Sequence, residues 1–546
     1  MKCHIREDVS DCPSASVVRR LRQLLFAGCL LSASIYGGCA PATERAADRP
    51  EAFIFARGSD AQKLDPADVD DGESVNSLAQ VMEGLVRFRP GTLEIEPWLA
   101  RAYSISDDGT VYTFELREDV QFHDGTPLTA ETALFTFHRQ MDPGHPAHLP
   151  EASFQYWGNL YSDIVEARAA GPMKVILELK QPNASILYSL ASFPAWLVSP
   201  GGFEKYGSGM QRHPVGTGPY KFSNWQQNQA IIFEKNPHYW GELAKFDRLV
   251  IRSVPENTVR LLELKSGKIH GLDGLQPAEL ADLINDPQFT VYHRPGMNVG
   301  YMAISDFSER LHPPEVRHAI AMAIDREAIV KLALDGWGVV AEYPIPPGFL
   351  GEPEGAAPIR FDPAAAREIL RRHPVVTRSP VTLHTINAPR PYFPDPGHIA
   401  SLIRSDLEAV GMKVNIVTKD FKSHLHDARN GDFDLCLLGW SGDNGDTDNF
   451  LATFFASWAA VKGAANNIAF YRNPEMDELL LAGRRETIPD KRQKIYERAL
   501  ALWARDMPLV PLVSTEQIVV MRREVEGFVL AGNANIFLGP VGWGSE

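Results

Sequence analysis

From residue 53 onward, two hydrophobic periods alternate along the chain, and this alternation limits the folds that the sequence can adopt. Apolar and polar residues alternate one by one at 112–116 and 174–179, which predicts half-buried strands. Elsewhere apolar residues recur every three or four positions, which predicts helices. Because such strands and helices follow one another over 546 residues, we expect an α/β fold with two or three domains.

Several predicted helices have ends that the sequence marks. Thr129 is suited to cap the N-terminus of a helix. Gly411 is suited to end a helix that covers residues 397–410 and leads into a strand at 413–417. Further helices are predicted at 315–333, 475–485 and 489–505.

The N-terminus has the layout of an export signal. Arginines at positions 19, 20 and 22 precede a short apolar stretch at 24–35, and small residues then lead to Cys39. This order predicts a signal peptide at 1–38, followed by a flexible tether at 39–51. The apolar stretch is too short to serve as a permanent transmembrane helix.

Cys39 is the predicted site of a lipid anchor. Residues 37–39, Gly-Gly-Cys, resemble the lipobox of bacterial lipoproteins, in which the cysteine is acylated and becomes the mature N-terminus. That resemblance implies an exported protein held on a membrane through lipid, in the periplasmic space or the cell envelope. Cleavage nearby without lipidation is the alternative.

Charge and cysteine content exclude several classes of protein. The formal net charge is −15 and no large basic cluster is present, so nucleic acid is not an expected partner. Cys3, Cys12, Cys29 and Cys39 all lie in the first 39 residues, so no disulfide framework is expected. Cys436 lies in an apolar run, which favours a buried thiol over a nucleophile.

Four segments together resemble a known family. They are Val-Gln-Phe-His-Asp-Gly-Thr-Pro-Leu at 120–128, Val-Gly-Thr-Gly-Pro-Tyr at 215–220, Asn-Pro-His-Tyr-Trp-Gly at 236–241, and the stretch 316–326. In this order they are similar to the family 5 extracellular solute-binding proteins, the peptide and nickel receptors of ABC importers. The resemblance covers roughly residues 53 to 530.

The resemblance implies a type II periplasmic-binding-protein fold, in which a hinge joins two lobes and a third domain is added. The implied parts are lobe I at 52–83, 211–298 and 512–540, the extra domain at 84–210, and lobe III at 299–511. Crossings near 298–301 and 511–512 are the implied hinges, and ligand binding would close the lobes. The implied partners of this monomer are an ABC permease and its ATPase.

The segment 439–450, Gly-Trp-Ser-Gly-Asp-Asn-Gly-Asp-Thr-Asp-Asn-Phe, looks like the ligand loop of dipeptide-binding proteins. The resemblance implies that Asp443 pairs with the α-ammonium group of a peptide. Residues 387–392, Asn-Ala-Pro-Arg-Pro-Tyr, match an upstream motif whose arginine, here Arg390, grips the peptide's carboxylate. An aspartate and an arginine at a fixed separation would select ligands with two free ends.

The remaining predicted ligand-binding residues are Trp440, Gly442, Tyr392 and Tyr301. Other interpretations of the site remain open. Arg390 can be a solvated arginine on a proline-rich loop, Asp443 can cap a turn, and Trp440 can belong to the core. Asp446 and Asp448 are expected to be turn or helix-cap residues.

Competing kinds of site are less well supported. A calcium loop that begins at Asp446 would need a glutamate near Ser457. The glycines at 216 and 218 are not followed by the lysine of a phosphate loop, so a tight backbone turn is expected. His424 and His426 are expected at the surface without a metal.

The functional prediction is therefore a binding protein. No Gly-x-Ser-x-Gly elbow is present, and neither enzymatic activity nor a cofactor is expected. The predicted cargo is a dipeptide or another short peptide. Haem, glutathione, a metal chelate, or a sensory or cell-surface role without transport are the alternatives.

Overall fold

The computed structural model describes residues 51–69, 71–149, 152, 154–275, 277–353, 355, 359–442 and 444–544. The predicted signal peptide at 1–38, the lipidation site Cys39 and all but the last residue of the tether lie outside the described residues. Asp443 lies outside them as well. The α/β prediction is confirmed by the elements that follow.

The strands, in chain order, are β1 (Ala52–Arg57), β2 (Val86–Phe88), β3 (Ile95–Pro97), β4 (Ala100–Ile105), β5 (Val111–Leu116), β6 (Ile164–Ala169), β7 (Lys174–Leu179), β8 (Tyr220–Gln226), β9 (Ala230–Lys235), β10 (Arg248–Ser253), β11 (Gly271–Asp273), β12 (Phe289–Pro295), β13 (Asn298–Ile304), β14 (Gly338–Val340), β15 (Val381–Ile386), β16 (Val414–Lys419), β17 (Leu435–Ser441), β18 (Leu509–Arg522), β19 (Val525–Glu526) and β20 (Gly542–Trp543).

The α-helices are α1 (Gly72–Leu78), α2 (Ala130–Met141), α3 (Gln155–Leu160), α4 (Ile186–Leu190), α5 (Pro200–Tyr206), α6 (Asn257–Lys265), α7 (Pro277–Leu280), α8 (Pro314–Ala323), α9 (Arg326–Ala333), α10 (Pro363–Arg372), α11 (Pro374–Arg378), α12 (Pro396–Ala409), α13 (Phe421–Asn430), α14 (Thr447–Phe455), α15 (Pro474–Arg485) and α16 (Pro489–Asp506). Short 3-10 helices lie at Phe193–Ala195, Gly207–Arg212, Glu309–Leu311 and Ser457–Ala459.

One mixed sheet of 12 strands organises most of the chain, in the order β16-β15-β17-β13-β18-β11-β1-β10-β9-β8, with β12 and β14 also paired to β18. Strand β18 is 14 residues long and joins the two halves of this sheet. Its first half pairs with β13 and β14, and its second half pairs with β11 and β12.

The same strand passes from one hydrophobic core to another. Leu509, Val510, Leu512 and Val513 belong to a core formed by residues between 297 and 513. Further along, β18 contributes to a second core that draws on residues 53–251 and 519–541. The chain from 51 to 546 forms one compact unit. The predicted lobe boundaries and hinges remain predictions.

A smaller antiparallel sheet, β4-β5-β7-β6, lies apart from the large one. The predicted strand at 112–116 is β5, and Gly109 turns the chain from β4 into β5 with a positive φ of 72°. Thr129 caps α2, because its side chain accepts a hydrogen bond from Thr132 N while Thr132 bonds back. The predictions for the strand and the cap are confirmed.

The predicted single helix at 315–333 is wrong. The structure has α8 and α9 instead, with Ile324 in extended conformation between them. Asp325 accepts a hydrogen bond from Ala328 N and so starts a second helix with its own cap. The periodic pattern continues across this break, which is why periodicity alone missed it. Among the described residues, no helix is long and apolar enough to cross a membrane.

Candidate functional site

The loop that follows β17 leaves the middle of the large sheet. Residues 435–438 of β17 are buried, Trp440 is half-buried, and Ser441 is exposed. The Nε1 atom of Trp440 donates a hydrogen bond to Asn449 Oδ1 at 2.9 Å, which ties the indole to α14. Trp440 packs against the core of residues 297–513, and this contact also fits the interpretation of Trp440 as a core residue.

Gly442 is held where the loop turns away from the sheet. Its N–H donates to Met297 O at 2.7 Å. A Cβ at this position would lie 2.8 Å from the ring of Phe450, so a side chain would push α14 away. The backbone that directly precedes Asp443 is therefore fixed by a hydrogen bond and by close packing, although Asp443 itself lies outside the described residues.

Arg390 sits in a tight turn after β15. The backbone N–H groups of Arg390 and Phe393 donate to each other's carbonyl oxygens at 3.0 and 2.9 Å, which closes the turn. The guanidinium lies 3.5 Å from the centroid of the Phe421 ring. Its Nε is buried without a hydrogen-bond partner, and no carboxylate of the described residues forms an ion pair with it.

Tyr392 and Phe393 anchor this turn to the sheet. A Cβ on Gly439 would lie 2.1 Å from the Tyr392 ring, and one on Gly300 would lie 2.4 Å from Phe393. Each aromatic ring thus occupies the space that a glycine leaves open on a neighbouring strand. Burial raises the pKa of Tyr392 to about 12, while the charge of Arg390 acts in the opposite direction.

Tyr301 lies on β13 with its side chain in the core. It is 2% exposed, and its ring centroid is 4.8 Å from that of Phe454. Burial raises the pKa of its hydroxyl well above the usual range. A contact between Tyr301 and ligand stays a prediction.

Asp446 has a structural role of the kind expected for it. It caps α14 by accepting a hydrogen bond from Asp448 N at 2.8 Å. Its two carboxylate oxygens also accept from Nη1 and Nη2 of Arg492 at 2.6 and 2.9 Å, and both side chains are almost fully buried. Burial alone would lower the pKa of Arg492, but the charge of Asp446 raises it.

Asp448 is also paired, with Arg484 at 2.6 and 2.9 Å. The expectation of a helix-cap residue is confirmed for Asp446, whereas Asp448 lies in the first turn of α14 and pairs with Arg484. Neither arginine partner is predictable from the sequence, because α15 and α16 show only ordinary amphipathic patterns at these positions. The available signal in the sequence was the spacing of Asp446 and Asp448, two acidic residues two positions apart at the start of a helix.

The loop is also attached to the segment that carries α4. Ser185 Oγ donates to Asp446 Oδ1 at 3.1 Å, and Asn444 Nδ2 donates to Ser189 Oγ at 3.1 Å. A Cβ on Gly445 would lie 3.0 Å from Leu93 Cδ2. Residues 444–448 are thus held by residues far away in sequence.

His424 corrects one expectation. It was predicted at the surface, but its side chain is fully buried and its Nε2 lies 2.9 Å from Leu437 O. Burial lowers its pKa to about 4, so the imidazole is neutral at pH 7. His426 is exposed, as expected. The described residues contain no cluster of histidine, cysteine, aspartate and glutamate suited to hold a metal ion.

Cys436 is fully buried, and burial raises the pKa of its thiol. Its Sγ lies 3.5 Å from Nε2 of the neutral His424. A thiol with a raised pKa carries little thiolate at neutral pH. The prediction of a buried thiol rather than a nucleophile is confirmed.

Comparison with known proteins gives consistent matches. A family model described as bacterial extracellular solute-binding proteins, family 5 middle, matches residues 94–461. The chain is 30% identical to Di/tripeptide-binding protein 1 of Pseudomonas aeruginosa, over 88% of this chain and 92% of that protein. It is 29% identical to Heme-binding protein A of Haemophilus influenzae, over 93% and 94%.

Among solved structures, one match is the ABC transporter-associated periplasmic binding protein DppA of Helicobacter pylori, in complex with the peptide STSA. The TM-score is 0.75 and the identity is 29%, over 90% of this chain and 98% of that chain. The alignments with these three proteins cover 88–93% of this chain.

Proposed function

The chain belongs to the family 5 bacterial extracellular solute-binding proteins, and on that premise we propose that it captures dipeptides or other short peptides in a cleft between two lobes. Proteins of this class bind solutes and do not catalyse reactions. The proposal therefore concerns which groups recognise the ligand, and what the protein does once the ligand is bound.

The unpaired state of Arg390 is the observation that carries the proposal. Its guanidinium is oriented by Phe421 and by the closed turn, but one of its buried donors has no acceptor. A buried charged donor without a partner is costly, so such a group is expected to meet an anion in the working protein. A peptide carboxylate accepts two parallel hydrogen bonds from a guanidinium.

Asp443 is the proposed partner of the other peptide end, on the strength of the family resemblance. The neighbouring acidic residues do not compete for this role, since Asp446 is occupied by Arg492 and Asp448 by Arg484. An α-ammonium group would donate three hydrogen bonds, to the Asp443 carboxylate and to carbonyl oxygens. With both ends fixed, Asp443 and Arg390 would measure the length of the ligand.

Four other residues complete the proposed site. Trp440 lies near the end of β17, Gly442 directly precedes Asp443, and Tyr392 is two residues from Arg390. Tyr301 lies behind them in the core and would act on the ligand through packing. The name of the Pseudomonas aeruginosa relative and the bound peptide of the Helicobacter pylori relative support a peptide as the cargo.

Closure of the lobes would follow binding. In this proposal lobe I comprises 52–83, 211–298 and 512–540, lobe III comprises 299–511, and the extra domain comprises 84–210. Strand β18 passes from one hydrophobic core to the other between Val513 and Val519, just beyond the proposed hinge at 511–512, so bending in this part of the strand would move the cores relative to each other. A permease and its ATPase would recognise the closed monomer, which Cys39 would anchor to a membrane through lipid.

Haem is the second candidate cargo, because one relative is named Heme-binding protein A. Peptide and haem make different demands on the site. A zwitterionic dipeptide needs both Asp443 and Arg390, whereas a porphyrin has carboxylates but no ammonium group. Substitution of Asp443 would therefore weaken peptide binding far more than haem binding.

Isothermal titration calorimetry with purified protein tests the proposal. A panel of dipeptides with free ends should bind, and their N-acetylated or amidated forms should bind at least about tenfold more weakly, because each blocked end loses a charge-assisted contact. Haem and glutathione serve as competing cargoes in the same experiment. Equal binding of free and blocked peptides would refute recognition of two charged ends.

A further inference from the structure

A cavity of about 470 Å³ opens at the β2–β3 hairpin. Its walls come from the hairpin, from residues 239–242, and from the C-terminal segment at 527–540. None of the residues from 387–393 or 439–450 lines it. Its volume falls in the range of cavities that hold small organic ligands.

Large aromatic side chains form much of the wall. Trp98, Trp196, Trp240 and Phe537 all line the cavity. Trp98 and Phe537 meet edge to face, with ring centroids 6.4 Å apart. Such surfaces favour a flat ligand that packs its own ring against them.

The charge of the lining is opposite to that of the chain. The formal net charge of the protein is −15, yet the charged residues of the lining are Arg87, Arg89, Arg117 and Glu242. Arg87 and Arg89 are paired with glutamates of the same hairpin. Arg117 differs from these two arginines in its pairing, because no carboxylate in the described part of the chain forms an ion pair with it.

Arg117 is nevertheless held in one orientation. Its Nε donates to Trp98 O at 2.6 Å, and its guanidinium lies 4.6 Å from the centroid of the Trp240 ring. Trp240 is fixed in turn, because its Nε1 donates to the buried carboxylate of Glu83 at 2.9 Å. The Nη atoms of Arg117 thus remain as preorganised donors beside aromatic walls.

A second donor in this wall also lacks a partner. Trp196 is 4% exposed, and its Nε1 is buried with no hydrogen-bond acceptor among the described residues. Buried indole N–H groups usually find an acceptor. Trp196, whose indole N–H has no acceptor, and Arg117, which has no carboxylate partner among the described residues, line the same cavity.

We propose that this cavity is a second binding site, which takes a small aromatic carboxylate of one or two rings. The carboxylate accepts hydrogen bonds from the Nη atoms of Arg117, and the ring packs between Trp98, Trp196 and Phe537. An aromatic cation is excluded by the arginines, and an aliphatic anion lacks the ring that the walls favour. The cavity lining shares no residue with the proposed peptide site, so the two proposals are tested independently.

Calorimetry with indole-3-acetate as the probe tests this site. The wild-type protein should bind one molecule saturably, and the cation tryptamine should bind at least about tenfold more weakly. Arg117→Gln should weaken the binding of indole-3-acetate by about tenfold or more, because the charge is lost while the side chain keeps much of its length. Arg101→Gln is the matched control, since Arg101 is an exposed arginine of β4 that pairs with Glu115.

A second variant covers the case in which Arg117→Gln fails to fold. Ala531→Phe fills the cavity from the C-terminal segment without changing a charge, and it should also weaken the probe at least about tenfold. Arg390→Ala should leave the affinity for the probe unchanged. The second site would be overturned if the wild-type protein showed no saturable binding of indole-3-acetate. It would also be overturned if the Arg117 or Ala531 variant bound the probe as tightly as the wild-type protein, or if Arg390→Ala lost binding.

Discussion

The two loops of the proposed peptide site use their charged groups in opposite ways. Where the loop after β17 enters α14, Asp446 pairs with Arg492 of α16 and Asp448 pairs with Arg484 of α15. In the turn after β15, Arg390 contacts an aromatic ring and pairs with no carboxylate of the described residues. The described residues of both loops are held by hydrogen bonds and close packing, so the difference lies in how their charges are satisfied.

This difference separates charges that hold the fold from charges that are available for a ligand. A buried ion pair with additional hydrogen bonds fixes one geometry and leaves nothing for a ligand to take. A held arginine without an acid partner keeps its hydrogen-bonding capacity for an incoming anion. The two kinds of residue should therefore fail in different assays when they are replaced.

The largest effect is expected at Asp446. Replacement of Asp446 by alanine leaves the buried Arg492 without its partner and removes the cap of α14, so the free energy of unfolding should fall by about 3–5 kcal/mol. Denaturant unfolding measures this loss. The exposed Asp432 is the control, and Asp432→Ala should change stability by less than about 0.5 kcal/mol. A loss below about 1 kcal/mol for Asp446→Ala would contradict a structural role.

Arg390 should show the reverse pattern. Arg390→Ala should lower the affinity for a dipeptide by about 2–5 kcal/mol, because a charged ligand group loses its partner in a desolvated site. Its free energy of unfolding should change little, since no ion pair is broken among the described residues. Calorimetry and denaturant unfolding of the same preparation separate the two quantities. Unchanged affinity would make Arg390 a solvated arginine of a proline-rich loop.

Glu83 adds a third case to this comparison, because it is a buried carboxyl group whose three hydrogen-bond donors are all uncharged. Thr217, Tyr239 and Trp240 donate to it at 2.7, 2.7 and 2.9 Å. Burial raises its pKa from 4.5 to about 7, and these donors act in the opposite direction. Between pH 4.5 and about 7, the folded protein therefore keeps a proton on Glu83 that the unfolded chain has already lost.

The sign of the resulting pH dependence follows from this difference in bound protons. The contribution of Glu83 to stability is fully present below pH 4.5 and is lost as the pH rises through about 7, by up to about 3 kcal/mol. Glu83→Gln, which mimics the protonated carboxyl, should lack this loss. Denaturant unfolding of both proteins from pH 4 to 8 gives the comparison. Parallel stability curves would contradict the shift.

The sequence predicts the parts of this molecule that depend on local pattern. The strand at 112–116, the cap at Thr129 and the end of α12 at Gly411 follow from alternation, side-chain chemistry and a positive φ, and all three are present. The four family segments predict the fold class, because each of them is a short run of neighbouring residues. Each of these features is decided by a few neighbouring residues.

Pairings between residues that are distant in the chain could not be predicted from the sequence. Ser185, Asp446 and Arg492 meet although as many as 307 positions separate them, and no periodicity records such a meeting. The break between α8 and α9 was hidden because the apolar pattern runs through it. His424 was expected at the surface because a polar pair looked solvated, but it is buried and its Nε2 meets the carbonyl oxygen of Leu437 inside the core.

Mass spectrometry of the ligand that copurifies with the protein, released under denaturing conditions from a mild native preparation, tests the central claim most directly. The proposed function predicts short peptides with free amino and carboxyl ends, dipeptides foremost, and their absence from an Arg390→Ala preparation made in parallel. Haem, glutathione or a metal chelate as the released species, retained by both preparations, would contradict it.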